Sequence, residues 1–145
     1  MKTILWKKKN TIAVLTAFIA MFLPLKGYAE IVAYGLAIAG NKVTSANCND
    51  LSKLDGVSGK VCYDPTNKVL TLQDATINTG GNINAIYSKI DGITIKIIGT
   101  NNLKAQKAAI TLMTPTTITG GGTLNAESEK DCGIFVFDTE LTIDN

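Results

Sequence analysis

Residues 93–103, ITIKIIGTNNL, decide the fold, because a similar stretch, TTITGGGTLNA, follows at residues 116–126. Both stretches begin with alternating β-branched residues, pass through glycine and return to an alternating pattern. Short segments of this kind, bounded by glycine and asparagine, are typical of β-strands separated by tight turns.

Two series of short segments recur with a nearly constant spacing. The first series ends at Leu72, Ile95, Ile118 and Ile143. The second series contains Ile86, Ile110 and Ile134. The steps are 23, 23 and 25 residues in the first series and 24 and 24 in the second. Self-similarity with a period of 20 to 50 residues indicates a solenoid, in which each turn of the chain, here called a rung, stacks on the one before.

The residues within each unit favour strands over helices. Every segment alternates with a period of two, and nothing from residue 68 onward has the apolar spacing of a helix. The sequence therefore predicts an all-β protein, a right-handed parallel β-helix of three to four rungs. The residues predicted to point inward are Leu70, Leu72, Ile77, Ile86, Ile93, Ile95, Leu103, Ile110, Leu112, Ile118, Leu124, Ile134, Leu141 and Ile143.

The predicted rungs occupy residues 69–145, and residues 30–68 do not share their period. An open solenoid end exposes core, so we expect residues 30–68 to form an N-terminal β cap. The sequence stops soon after the fourth strand signal at 141–143. We therefore expect either a longer solenoid truncated at its C-terminus or an open C-terminal edge that pairs with a further rung or a partner.

The first 29 residues have the layout of a secretory signal peptide. Three lysines at 7–9 precede an apolar run over residues 12–25, and Gly27 and Ala29 supply small residues before the expected cleavage site. The run is shorter than the roughly 20 residues of a membrane-spanning helix, so a retained anchor is the weaker alternative. We expect cleavage after Ala29, no membrane insertion afterwards, and a secreted or cell-surface protein.

The charge and composition of the remaining chain exclude several functions. Five of the 14 basic residues lie within residues 1–29 and all 12 acidic residues lie beyond, so the mature chain has a net charge of −3. Without a basic stripe, nucleic acid is an unsuitable partner. The whole chain contains neither histidine nor arginine, which removes imidazole-based catalysis and imidazole metal sites. We expect a protein that is not an enzyme.

The motifs also resemble a known group of proteins. The order AYGLAIAGNKVTSAN at 33–47, GVSGKVCYDPTNKVLTLQDATI at 56–77 and then repeated LTI and GTL segments is similar to secreted and cell-surface proteins of anaerobic bacteria. Their β-helical repeats in turn resemble those of a family of β-helical carbohydrate-binding domains. The resemblance covers residues 33–145 and implies a bacterial surface protein that binds polysaccharide or adheres to a host or cell surface.

Two aromatic residues are candidates for binding a sugar. Tyr87 and Phe135 each follow an isoleucine of the second series, so we expect them on the outer face of adjacent rungs, where their rings could stack on a sugar. The alternative is that these rings cover the cap or pack between coils. At the level of the whole protein, the alternatives are a structural surface or stalk element and, with less support, a polysaccharide lyase or hydrolase.

Acidic residues and cysteines supply the remaining candidates. Glu127, Glu129 and Asp131 alternate, so in an extended strand their oxygens would lie on one side and could bind Ca²⁺; the alternative is a solvated turn. No other cofactor is expected. Cys48 and Cys62 could form a disulfide, which would contribute about 3 kcal/mol after export, or could remain buried thiols.

Overall fold

The computed structural model describes residues 27–145. The signal peptide predicted for residues 1–29 falls outside this range except for its last three residues. Within the described part of the chain, no helix is long and apolar enough to cross a membrane. Every strand lies in the compact unit Ile31–Asn145.

The described chain forms β-strands joined by turns and short loops. The strands are β1 (Ala33–Ile38), β2 (Asn41–Thr44), β3 (Val57–Asp64), β4 (Val69–Asn78), β5 (Ile86–Ser88), β6 (Ile93–Ile98), β7 (Thr100–Ala105), β8 (Ile110–Leu112), β9 (Thr116–Thr119), β10 (Thr123–Ser128), β11 (Ile134–Val136) and β12 (Leu141–Asp144).

From β4 onward the strands stack as a parallel β-solenoid of about three turns, which confirms the predicted fold class. One column contains the first half of β4 followed by β6, β9 and β12. A second column contains the last residues of β4 followed by β7 and β10. A third column contains β5, β8 and β11. Each of the first three rungs therefore has three strand segments, β12 begins a fourth, and every neighbouring pair within these columns is parallel.

The isoleucines of the second series confirm the predicted register. Ile86 pairs with Ile110, and Ile110 pairs with Ile134, in successive parallel strands. Because side chains alternate across a strand, this register places all three on the same face. The β-branched column that results fills one side of the interior.

The structure buries most of the residues predicted to point inward. The fully enclosed ones are Leu70, Leu72, Ile77, Ile86, Ile93, Ile95, Leu103, Ile110, Leu112 and Ile118. Leu124, Ile134 and Leu141 are half-buried against this core. The prediction is wrong for Ile143, which pairs with Ile118 but is 68% exposed. In the described chain no strand stacks on the far side of β12, so Ile143 lies at the open end of its column.

The chain before residue 69 pairs with all three segments of the first rung. β1 runs antiparallel to β5, and β3 runs antiparallel to both halves of β4. Inward side chains of these strands, such as Leu36 and Val61, join the solenoid core. The Tyr34 and Tyr63 rings meet edge to face at 5.3 Å between their centroids. At this end of the solenoid, antiparallel pairing therefore occupies strand edges that would otherwise be free.

A corner separates the first and second segments of each rung. Gly99 (φ 66°) and Gly120 (φ 110°) have positive φ at this corner, a conformation that glycine adopts without steric cost. In the first rung the corner residue is Asp74, with φ 48°, and its Oδ1 accepts a hydrogen bond from the Thr100 N–H at 3.0 Å. Aspartate tolerates this conformation better than most residues do, and here its carboxylate also accepts a hydrogen bond from the second rung.

Just after the corner, a buried asparagine connects three rungs. Asn101 is fully buried, and its Oδ1 accepts a hydrogen bond from the Ala75 N–H of the first rung at 2.9 Å. Its Nδ2 donates to the Ile98 carbonyl of its own rung at 3.0 Å and to the Thr123 carbonyl of the next rung at 3.4 Å. Asn101 thus satisfies backbone groups that the ladder leaves unpaired where the strands bend.

Two neighbouring threonines offer a matched test of buried hydroxyl groups. The Thr114 Oγ1 is buried without a hydrogen-bond partner in the described residues 27–145, whereas the Thr116 Oγ1 donates to the Thr114 carbonyl at 3.0 Å. We expect Thr114→Val to leave the free energy of unfolding unchanged or raise it by up to about 1 kcal/mol, because it removes an unpaired hydroxyl. Thr116→Val should lower it by about 1 kcal/mol. Urea denaturation of both variants measures the difference, and equal destabilisation would contradict the assignment.

Candidate functional site

One outer surface of the solenoid carries most of its exposed aromatic side chains. It belongs to the sheet with strand order β11-β8-β5-β1-β2. The strand registers align one residue from each strand in a row across this sheet. From β2 to β11 the row consists of Lys42, Ala37, Tyr87, Thr111 and Phe135. We call this surface, with the second row described next, the aromatic face.

A second row lies two residues further along the parallel strands. The ladder continues past the strand ends, where the N–H groups of Lys89, Met113 and Phe137 donate to carbonyls of the adjacent strands. Gly35 is the partner of Lys89 in β1, at 2.6 Å. Lys89 and Phe137 are exposed and Met113 is half-buried. Two lysines therefore lie near β1 and β2, and two phenylalanines lie on β11 and just after it.

The Tyr87 side chain lies between two shallow depressions. The first, of about 280 Å³, is lined on its β1 and β2 side by Gly35, Ala37 and Lys42 and on its other side by Tyr87 and Lys89. We call this depression the Tyr87 recess. The Lys89 ammonium is 5.6 Å from the centroid of the Tyr87 ring. Gly35 and Ala37 project almost nothing from β1, so they leave the ring partly open to solvent.

The second depression, of about 220 Å³, lies on the opposite side of Tyr87 and is lined in part by Asn82 and Asn84. The Asn84 Nδ2 donates to the Ala108 carbonyl at 2.7 Å and to the Thr111 Oγ1 at 2.9 Å, which fixes the loop before β5 to the next rung. Asn82 is exposed. Sequence reasoning did not identify either amide, because a single Asn in a loop usually indicates only a turn.

The two predicted aromatic residues share a column but not adjacent rungs. Tyr87 pairs with Thr111, and Thr111 pairs with Phe135, so β8 lies between them. The prediction of adjacent rungs is wrong in this detail, because Thr111 follows the middle isoleucine of the series. At roughly 4.8 Å per strand, the two backbone positions are roughly 10 Å apart. Phe135 is 41% exposed, and its ring centroid is 6.2 Å from that of Phe137, which is 53% exposed.

The acidic residues predicted to bind Ca²⁺ do not converge. Glu127 pairs with Lys104 at 3.4 Å on the outer face of β10. Asp131 lies in the following turn, where its Oδ1 accepts a hydrogen bond from the Cys132 N–H at 2.8 Å. Glu129 precedes this turn. Among the residues that the structure describes, no three carboxylate, thiol or imidazole side chains form a metal-binding group. The alternation that suggested a site ends with β10 at residue 128, so the three carboxylates do not share one strand face.

Of the two alternatives for Cys48 and Cys62, a disulfide or free thiols, the structure contains free thiols. Both are free thiols, as is Cys132. Cys48 belongs to the core, next to Tyr63, whose N–H donates to the Cys48 carbonyl at 2.7 Å. Cys62 alternates with the inward residues Val61 and Tyr63 and so points to the other face of β3. Partial desolvation and the Asp131 carboxylate raise the pKa of the Cys132 thiol, which disfavours its nucleophilic thiolate form.

The described carboxyl groups with lowered pKa values close turns. Hydrogen bonding from the Asn67 side chain and backbone holds the pKa of Asp64 below its ordinary value. The Ser52 hydroxyl, followed by Lys53, does the same for Asp50. A depressed pKa means that these turn contacts are present at neutral pH and weaken only as the pH falls through the folded-state value. The shifts therefore reflect local turn stability.

One further depression lies at the C-terminal end of the solenoid. Its volume is about 230 Å³, and its lining includes Ile118, Leu124, Ile134 and Ile143. Ile118, Leu124 and Ile134 contribute to the core of the last complete rung, and Ile143 is the exposed residue that stacks on Ile118. The depression is therefore the uncovered end of the core.

Comparison of the chain with protein-family models, with curated proteins and with solved structures finds no match.

Proposed function

We propose that this protein is a noncatalytic, exported module that binds polysaccharide on the aromatic face. The observation that carries the proposal is the column Tyr87, Thr111 and Phe135, which has a partly exposed ring on either side of the buried Thr111. The expected signal peptide and the sequence resemblance to β-helical carbohydrate-binding domains support the same function.

The arrangement suits an extended chain of sugar rings. The apolar C–H surface of a pyranose packs against an aromatic ring, and polar groups around the ring fix its orientation. The separation of roughly 10 Å between the two aromatic positions is comparable to the length of a disaccharide. A polysaccharide that crosses the strands can therefore stack alternate sugars on Tyr87 and Phe135, with Thr111 between them. The exposed amide of Asn82 is available to hydrogen-bond sugar hydroxyls.

A glycan-array screen of the unit beginning at residue 31 tests this proposal. We expect saturable binding to a restricted set of polysaccharides, and Tyr87→Ala should weaken it by about tenfold or more, which corresponds to about 1.4 kcal/mol. Tyr87→Phe keeps the ring and should retain most of the affinity. Asn125→Ala is the matched control, because Asn125 is exposed on β10, outside the aromatic face.

The same screen is repeated with Ca²⁺ and with a chelator. Since the three predicted acidic ligands do not converge, we expect binding to be independent of the metal. Loss of binding in chelator would contradict this expectation. Absence of binding by a folded, β-rich sample would overturn the proposed function and favour a structural surface element.

A further inference from the structure

The Tyr87 recess is positively charged although residues 30–145 together are acidic. Its lining contains Lys42 and Lys89 and no carboxylate. The ion pairs among the described residues are Lys53 with Asp50 and Lys104 with Glu127, so neither lysine of the recess takes part in one. A local pair of cations within residues 27–145, whose net charge is −3, favours an anionic ligand at this position.

The backbone places Lys42 and Lys89 on opposite sides of β1. Lys42 pairs with Ala37 across β1 and β2, and Lys89 follows β5 and hydrogen-bonds to the Gly35 carbonyl. A Cβ on Gly35 would lie 3.3 Å from the Lys89 Cβ, so the lysine stem packs closely against this strand. The β1 residues that line the recess between the two stems include Gly35 and Ala37, whose small size leaves room for a planar group above them.

Tyr87 adds an aromatic ring to the same space. The Lys89 ammonium lies 5.6 Å from the centroid of this ring, within the range of a cation–π contact. Such a contact restricts the motion of a long side chain that would otherwise be mobile in water. The recess thus combines a stacking surface with a charge whose position is partly fixed.

We propose that the Tyr87 recess binds the carboxylate of a uronic acid residue, so that the polysaccharide recognised is acidic. This inference rests on the proposed function, since it assigns the chemical class of ligand at the same surface. The pyranose ring of the uronate packs on Tyr87, and its carboxylate lies between the ammonium groups of Lys42 and Lys89. Ion pairs at an exposed site are screened by salt, so the affinity for the acidic ligand falls as ionic strength rises.

Titration calorimetry with oligogalacturonate and with its methyl ester of the same length tests the inference. The ester keeps the sugar rings and removes the negative charge. We expect the native protein to bind the free acid about tenfold or more tightly than the ester at low salt. The double variant Lys42→Met and Lys89→Met keeps apolar stems of similar length, and it should reduce the affinity for the acid to that for the ester. Lys96→Met is the matched control, because Lys96 is exposed on β6, away from this sheet.

The outcomes separate the two proposals. Equal affinity of the native protein for acid and ester, or an equal effect of Lys96→Met and the double variant, overturns the uronate assignment and leaves polysaccharide binding in place. Equally tight binding of a sulfated glucan of the same length also overturns it, in favour of unspecific anion binding. Failure to bind any neutral or acidic glycan overturns both proposals.

Discussion

Replacement of Asn101 by alanine is expected to lower the free energy of unfolding by about 3 to 5 kcal/mol. The substitution leaves the Ala75 N–H without its acceptor and the Ile98 carbonyl without one donor, and it opens a cavity where the amide was. Asn101 is fully buried, so water does not readily replace the lost groups. Because a domain of this size is stabilised by only about 5 to 15 kcal/mol, the loss is a large fraction of the total.

Two further variants isolate the cause of this loss. Asn102→Ala is the matched control, because Asn102 is exposed on the same strand and its side chain bonds only to Asn125 among the described residues; we expect a change below about 1 kcal/mol. Asn101→Leu fills the volume but cannot accept a hydrogen bond, so it should still be destabilised by about 2 kcal/mol or more. Urea unfolding followed by circular dichroism measures all three variants. A Leu variant as stable as the native protein would show that the side chain serves only to fill space.

The second large effect is expected at the corner of the third rung, where one of two adjacent glycines has room for a Cβ atom and the other does not. A Cβ on Gly122 would lie 2.6 Å from the Gly99 carbonyl oxygen and 3.0 Å from its nitrogen, and both atoms belong to the backbone of the rung before. A Cβ on Gly121 would meet nothing within 4 Å. Gly122→Ala should therefore cost about 3 kcal/mol or more, because neither rung can move away without disturbing the ladder. Gly121→Ala should be neutral or stabilise by up to about 1 kcal/mol.

Thermal unfolding of the two glycine variants provides the comparison. The substitutions are chemically identical and one residue apart, so helix or strand propensity does not explain a difference between them. We expect the melting temperature of Gly122→Ala to fall by more than about 8 °C, and that of Gly121→Ala to stay within a few degrees of the native value. Similar melting temperatures would show that the corner adjusts freely and that stacking of the rungs at this point is loose.

The fold could be predicted from the sequence because equivalent positions of successive rungs have side chains of similar shape and polarity. Ile86, Ile110 and Ile134 are β-branched, apolar and evenly spaced, so sequence alone placed them in one column. The inward position of Asn101 was not predictable in this way. Its amide is needed by backbone groups of other rungs, and the bend that leaves those groups unpaired is visible only in three dimensions.

The corner of the first rung shows the same limit. The second and third rungs turn at glycine, but the first turns at Asp74, which reads in the sequence as an ordinary turn residue.

The two lysines of the candidate site were also not predicted from the sequence. Lys42 and Lys89 are 47 positions apart in the sequence, and only the antiparallel pairing of β1 with β2 and with β5 brings them to one recess.

The antiparallel pairing of β3 with β4 gives the chain a place at which to begin folding. Asp64 and Val69 close this hairpin across a loop of a few residues, and the Asp64 carboxylate accepts hydrogen bonds from the Thr66 and Asn67 N–H groups within it. Parallel strands of later rungs must instead close about 23 residues of chain before any ladder forms, at a greater cost in entropy. The hairpin can therefore act as a folding nucleus, in which β4 is already extended and available to pair with β6 and β7 of the second rung. Order can then spread rung by rung toward the C-terminus, in the direction in which the chain leaves the ribosome.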